Sequence, residues 1–207
     1  MTSLREWFQS VTGHRFVPLF DADETLIVRT KLMGNSEKQI LKRSPAMENA
    51  VISCIEQGLS TPEWEGMMYV MGWGMGSTFR PLYVGKAERR GVKHGVSGNI
   101  ANIRKNSGKF ARWGDGLDYH IGDLSHAMFE FEAYRKPMKK YKRWASTLFR
   151  SVSPPMLTET VNLYLAPWCA DSTGPSGLSV SLPDGEKEVI ALASVEFADS
   201  LLNVDGV

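Results

Sequence analysis

Apolar and polar positions divide the chain into short elements. After Ser44-Pro45, a capping residue followed by proline at the first helical position, Met47, Val51, Cys54 and Ile55 recur at helical spacing and Gly58 follows. That predicts a helix packed into a core; the rest of residues 1–60 reads as mostly helical with turns. Met67 to Met71 and Pro81 to Gly85 are apolar runs rich in strand formers on either side of Gly72-Trp73-Gly74-Met75-Gly76-Ser77, and they predict a hairpin. Residues 97–106 suit a short helix. Leu117 to Gly122 alternates and predicts a third strand, 139–150 a basic helix bearing Trp144, Leu148 and Phe149, and Val161 to Leu165 a further strand.

A polar loop from Ala170 to Gly177 leads to the last helix, opened by Pro183-Asp184-Gly185 with Asp184 as cap. Glu186 sits in its first turn, where a carboxylate suits the helix dipole. Glu186, Ile190, Ala193 and Phe197 share one face, but Glu188 aligns equally well with Leu192 and Val195. Periodicity does not choose between the two acids.

Composition narrows the class. The chain has 207 residues, 43% hydrophobic and 23% charged, enough for one buried core in one domain or a domain with an extension. No apolar run approaches the roughly 20 residues of a membrane span. The opening MTSLREWFQSVTGHR has no apolar stretch of signal-peptide type, so a cytoplasmic protein with no membrane partner is expected. Cys54 and Cys169 form no CxxC, which excludes a cysteine-based zinc site or disulfide framework and predicts two reduced, buried thiols.

The net charge of +1 hides two basic blocks. Lys86 to Arg112 holds eight basic residues (Lys86, Arg89, Arg90, Lys93, Arg104, Lys105, Lys109, Arg112) and one acid, Glu88. Arg135 to Arg150 holds seven and no acid, Lys139, Lys140, Lys142 and Arg143 among them. The rest of the chain carries −13. Such blocks, interleaved with aromatics, suit a phosphate backbone, although charge runs are more often solvated helix faces.

Several familiar motifs are absent. Val84-Gly85-Lys86-Ala87 lacks the Ser or Thr of a phosphate loop, and Arg80 stands where its first glycine belongs. Gly72, Gly74 and Gly76 do not open a helix, against a dinucleotide site. There is no HExxH or GxSxG, and His94, His120 and His126 lack metal-ligand spacing.

Strand, glycine loop, a strand ending Tyr83-Val84-Gly85-Lys86, a basic segment, and a late helix opened by a Glu: this order resembles the GIY-YIG nuclease family. Met67-Met68-Tyr69 stands at its GIY tripeptide and Tyr83-Val84-Gly85 at its YIG. Glu186-Lys187-Glu188-Val189-Ile190 resembles its Glu helix, and Leu201-Leu202-Asn203 the Asn that closes its core. The departures are Met67 and Met68 in place of Gly and Ile, a longer stretch after Tyr83, no Arg with a His four residues later in a helix, and some 60 residues between the third strand and Glu186.

The resemblance implies an α+β fold, with a small antiparallel or mixed sheet flanked by helices. A helical extension would span 1–65 and the nuclease-like domain 66–207, with an insertion at about 126–182. It implies a Mg²⁺-dependent (or Mn²⁺-dependent) endonuclease hydrolysing DNA phosphodiesters in a restriction, defence or phage setting. A palindromic target would favour a homodimer. The implied catalytic set is Tyr69, Tyr83, Lys86, Arg104, Glu186 and Asn203. Glu186 would be the metal ligand, one tyrosine would act in or as the base with help from Lys86, and Arg104 would contact the scissile phosphate. Arg112 and then Arg90 are the alternatives for the arginine, and Glu159 is the rival carboxylate. Lys86, Arg89, Arg90, Lys93, Lys105, Lys109, Arg112, Lys139, Lys140, Lys142 and Arg143 would bind nucleic acid. Asp115, His120 and Asp123 either contribute to the site or shape turns, the structural reading coming first. The other reading is a non-catalytic nucleic-acid or partner-binding module on the same fold.

Overall fold

The computed structural model describes residues 3–10, 15–34, 36–92 and 95–203. It is an α+β fold around one antiparallel sheet. The helices are α1 (Leu4–Ser10), α2 (Pro45–Leu59), α3 (His120–Phe129), α4 (Lys139–Leu148) and α5 (Leu182–Glu196). The strands are β1 (Arg15–Pro18), β2 (Thr30–Leu32), β3 (Gln39–Leu41), β4 (Trp64–Trp73), β5 (Arg80–Glu88), β6 (Phe149–Val152), β7 (Pro155–Leu157) and β8 (Val161–Cys169). The main sheet has the order β1-β8-β4-β5, and β2-β3 and β6-β7 form two small hairpins.

The central strands β4 and β8 are buried on both faces. On one face Tyr69, Met71, Leu163 and Leu165 pack with α2, α3 and α4; on the other, Met68, Val70, Tyr164 and Ala166 pack with α1 and α5. Residues of alternating parity feed opposite cores, as the two-residue period of a strand requires. The β4–β5 hairpin forms where the glycine loop predicts it. α2 starts as its sequence dictates: the Ser44 hydroxyl accepts the Met47 N–H at 3.0 Å, with Pro45 in the first turn.

Four expectations are corrected. The described part of residues 1–60 contains three short strands besides two helices, and β1 pairs with β8 in the main sheet. Leu117 to Gly122 is no strand: Tyr119 is the cap of α3, and the third strand beside β4 is β8, inside the stretch read as an insertion. Within 97–106 the only helix is a 3-10 turn at Ile103–Lys105. α5 starts earlier than expected, at Leu182, with Ser181 rather than Asp184 as its cap.

Both cysteines are free, Cys54 buried and Cys169 partly so. Among the described residues no helix is long and apolar enough to cross a membrane.

Candidate functional site

The β4–β5 register sets the geometry. Tyr69 stands opposite Gly85, and Met71 opposite Tyr83. Opposed residues share a face and side chains alternate along a strand, so Tyr69 and Tyr83 leave the same face and Lys86 leaves the other. Tyr69 lies on the inner strand and reaches the sheet edge only by crossing β5. Gly85 opens that path: a Cβ there would stand 2.6 Å from Tyr69 Cε2 and 2.7 Å from its hydroxyl oxygen.

On the far face Glu186 lies in the second turn of α5, not in the first as expected, because the helix starts at Leu182; its Oε2 accepts a hydrogen bond from Lys86 Nζ at 2.8 Å. Because β5 is the edge strand, groups from both faces meet beyond it. They form a cleft of about 320 Å³ lined by Tyr69, Tyr83, Lys86, Arg112 and Glu186, with Glu88, Ser97 and Asn99 completing the wall. Asn203 lies along the same edge and ties to the backbone of Val84, accepting its N–H at 2.8 Å and donating to its carbonyl at 2.9 Å.

The phenols are held from α3 and α4. The Tyr69 hydroxyl lies 3.0 Å from Nε2 of His120, and Nδ1 of His120 lies 2.9 Å from the Tyr141 hydroxyl. The imidazole stacks on Trp144 and meets Trp113 and the Tyr83 ring. Burial in this aromatic box, helped by Lys140 and Arg112, holds the His120 pKa well below the ordinary histidine value, so the ring is neutral. Burial, and then the neighbouring Tyr83 phenol, pushes Tyr69 well above the usual phenol range. Tyr83 is pushed up to about 12 by burial and by the Glu186 carboxylate. Lys140 Nζ donates to the Tyr83 hydroxyl at 3.1 Å and stands 4.3 Å from its ring centroid.

Arg112 comes from an unusual turn. Phe110, Ala111 and Arg112 have φ of 24°, 50° and 76° in succession. L-residues avoid this region, and such strain persists only where surrounding contacts enforce it. Arg104, the first choice from sequence, lies elsewhere. Its Nε and Nη2 donate to Glu56 at 2.6 and 2.7 Å on an exposed surface, and it does not line the cleft. Glu159 is paired with Arg80, and Glu188 accepts the Ser176 N–H, so neither rival acid joins Glu186.

The basic blocks are partly spent on structure. Arg89 donates to the carbonyls of Thr61, Pro62 and Trp64, and Lys142 pairs with Glu130. Arg90, Lys105, Lys109 and Lys139 are exposed and make no ion pair with the described residues. Arg143 is exposed on α4, Lys140 serves Tyr83, and Lys93 and His94 lie outside the described residues. Asp115 pairs with Lys31, and Asp123 with Arg135.

Among the described residues no group of three or more His, Cys, Asp or Glu side chains comes together. The donor set is nevertheless compatible with a hard cation that keeps most of its water. Glu186 offers Oε1, which has no protein partner among the described residues, in a polar cleft.

Sequence reasoning missed the roles of His120 and Lys140 beside the phenols. In the sequence His120 stands with Asp115 and Asp123 among polar groups that read first as structural, and Lys140 is one charge in a basic block. Comparison with protein-family models, with curated proteins and with solved structures finds no match to this chain.

Proposed function

We propose that the protein is a metal-dependent phosphodiesterase that cleaves DNA internally by chemistry of the GIY-YIG type. The observation that carries this reading is the meeting of Tyr69, Tyr83, Lys86, Arg112 and Glu186 in one cleft at the edge of β5. Two phenols, two cations and one carboxylate match what hydrolysis of a phosphate diester demands: a positioned water, charge compensation at the phosphoryl oxygens and a place for a divalent ion.

In this reading the Arg112 guanidinium binds the scissile phosphate through its planar fork. Glu186 would hold the cation, which supplies charge neutralisation when bound. Tyr69, its hydroxyl donating to Nε2 of the neutral His120 ring while Nδ1–H donates to Tyr141, accepts a hydrogen bond from the attacking water and orients it. As the water oxygen bonds to phosphorus the bond to the leaving oxygen breaks, and the proton the water gives up passes through solvent in the open cleft to that oxygen, so neither a phenolate nor a buried imidazolium forms. Lys140 orients the Tyr83 hydroxyl toward the substrate. Arg90, Lys105, Lys109 and Lys139 contact the flanking backbone.

One observation favours the second reading, a binding module that does not cut: Lys86 already neutralises Glu186. Incubating supercoiled plasmid, single-stranded DNA and RNA with Mg²⁺ or Mn²⁺ separates the two. Cleavage of DNA by the wild type and none by Glu186→Ala is expected for the nuclease. Salt-dependent binding with no cleavage by either protein overturns the nuclease in favour of the module, and equal cleavage by both removes Glu186 from the site.

A further inference from the structure

The N-terminal segment shows no chemistry of its own in the sequence, yet it holds the turn that delivers Arg112. Arg43 follows β3, and its side chain is only 4% exposed. Its Nη1 donates to the carbonyl of Trp113 at 3.0 Å and to that of Ser107 at 3.5 Å, and its guanidinium lies 4.5 Å from the Phe110 ring centroid. Glu48, in the first turn of α2, accepts from its Nε at 2.9 Å. One buried side chain therefore touches both ends of the 107–113 turn and its first strained residue.

A further N-terminal contact holds the chain just after the turn: Lys31 of β2 pairs with Asp115 at 2.7 Å. The run of positive φ at Phe110, Ala111 and Arg112 does not persist on local preference. Arg43 is placed to enforce it, because its planar guanidinium reaches Glu48 through Nε and Nη2 and both carbonyls through Nη1 while lying by the Phe110 ring, a spread of donors wider than a single ammonium nitrogen spans.

Resting on the nuclease reading, we propose that Arg43 is a positioning residue for Arg112: it locks the 107–113 turn so that the Arg112 guanidinium lines the cleft. Lys31, Arg43 and Glu48 are then a brace for the catalytic arginine. Arg43 touches no substrate and acts only through the turn.

The test combines cleavage kinetics with amide exchange on the full chain. Arg43→Ala, Arg112→Ala and the double variant are compared in single-turnover DNA cleavage at saturating protein. Misplacing a catalytic group by an ångström costs on the order of 100-fold in rate. Arg43→Ala should lose about that much, and should lose nothing further in the Arg112→Ala background, because the two residues act as one unit. Amides of 107–113 should exchange at least about tenfold faster in Arg43→Ala, while those of β4 and β8 stay protected.

Multiplying losses in the double variant, or unchanged exchange at 107–113, overturn the proposal. If Arg43→Ala does not fold, Arg43→Lys and Lys31→Ala decide by the same two measurements; wild-type rates and exchange in both overturn it. If the wild type neither cleaves nor binds nucleic acid, the nuclease reading and the catalytic part of this proposal fall together. Exchange at 107–113 still reports whether Arg43 holds the turn.

Discussion

The Tyr69 ring lies across Gly85 so closely that a Cβ at position 85 would stand 2.7 Å from both Cζ and the hydroxyl oxygen. The ring cannot retreat, because Trp113 and His120 pack against it and its hydroxyl meets His120 at 3.0 Å. Gly85→Ala must therefore displace either the ring or β5. Overpacking a fixed core costs about 1–3 kcal/mol. A fall of that size in urea-unfolding stability, with loss of cleavage, is expected; unchanged stability would show that Tyr69 is free to move.

If Glu186 holds a cation as proposed, its pairing with Lys86 sets the affinity. They are 2.8 Å apart with side chains 25% and 18% exposed, so any cation at Glu186 competes with an ammonium already in place. Lys86→Met should tighten Mn²⁺ binding on the order of tenfold, about 1.4 kcal/mol, while lowering cleavage. Titration followed by Mn²⁺ electron paramagnetic resonance reads the affinity without substrate. Weaker binding in Lys86→Met would mean that the lysine organises the site rather than competing for it.

Acid should unfold the protein through its histidines. An unfolded histidine takes up a proton near pH 6.5, whereas burial holds folded His120 well below that value. The stability linked to His120 is complete above about pH 6.5 and is lost as pH falls toward the folded pKa, by about 1.4 kcal/mol per pH unit. His126 is shifted the same way by burial. Asp123, raised by its own burial, works in the opposite sense above the ordinary aspartate pKa. Unfolding free energies measured from pH 7.5 to 5 should fall steeply for the wild type and more gently for His120→Gln. Parallel slopes would place the proton uptake elsewhere.

The hairpin and the late acidic helix were legible because their signals are local: a glycine loop between strand formers, and Pro183-Asp184-Gly185 before an apolar stripe, although the true cap, Ser181, lies three residues before Asp184. Tyr69, Tyr83 and Glu186 reach one cleft through elements the pattern predicts. α3 was not legible as a helix. His120 to Met128 are all buried, so the segment has no polar face to give it a helical period, and its first residues mimic a strand. β1, β2 and β3 have three or four residues each, too few to establish alternation. The pairing of Lys140 with Tyr83 joins positions 57 residues apart through tertiary packing alone.

The choice of arginine depends on the same kind of distant contact, and it gives the sharpest comparison. In sequence Arg104 and Arg112 both sit in one basic block, and only the turn geometry separates them. Arg104 faces Glu56 on the surface, and Arg112 lines the cleft at the end of a run of positive φ. Arg104→Ala should leave cleavage within about twofold of the wild type, since it loses one exposed ion pair. Arg112→Ala should cost about 10²–10³-fold, the usual loss when one donor to a developing oxyanion is removed. Both variants drop one positive charge, so any shared change in the salt dependence of binding reflects general electrostatics. A difference confined to the cleavage rate at saturating protein assigns the catalytic arginine. If Arg104→Ala loses the activity and Arg112→Ala keeps it, the cleft at the edge of β5 is not where the phosphate reacts.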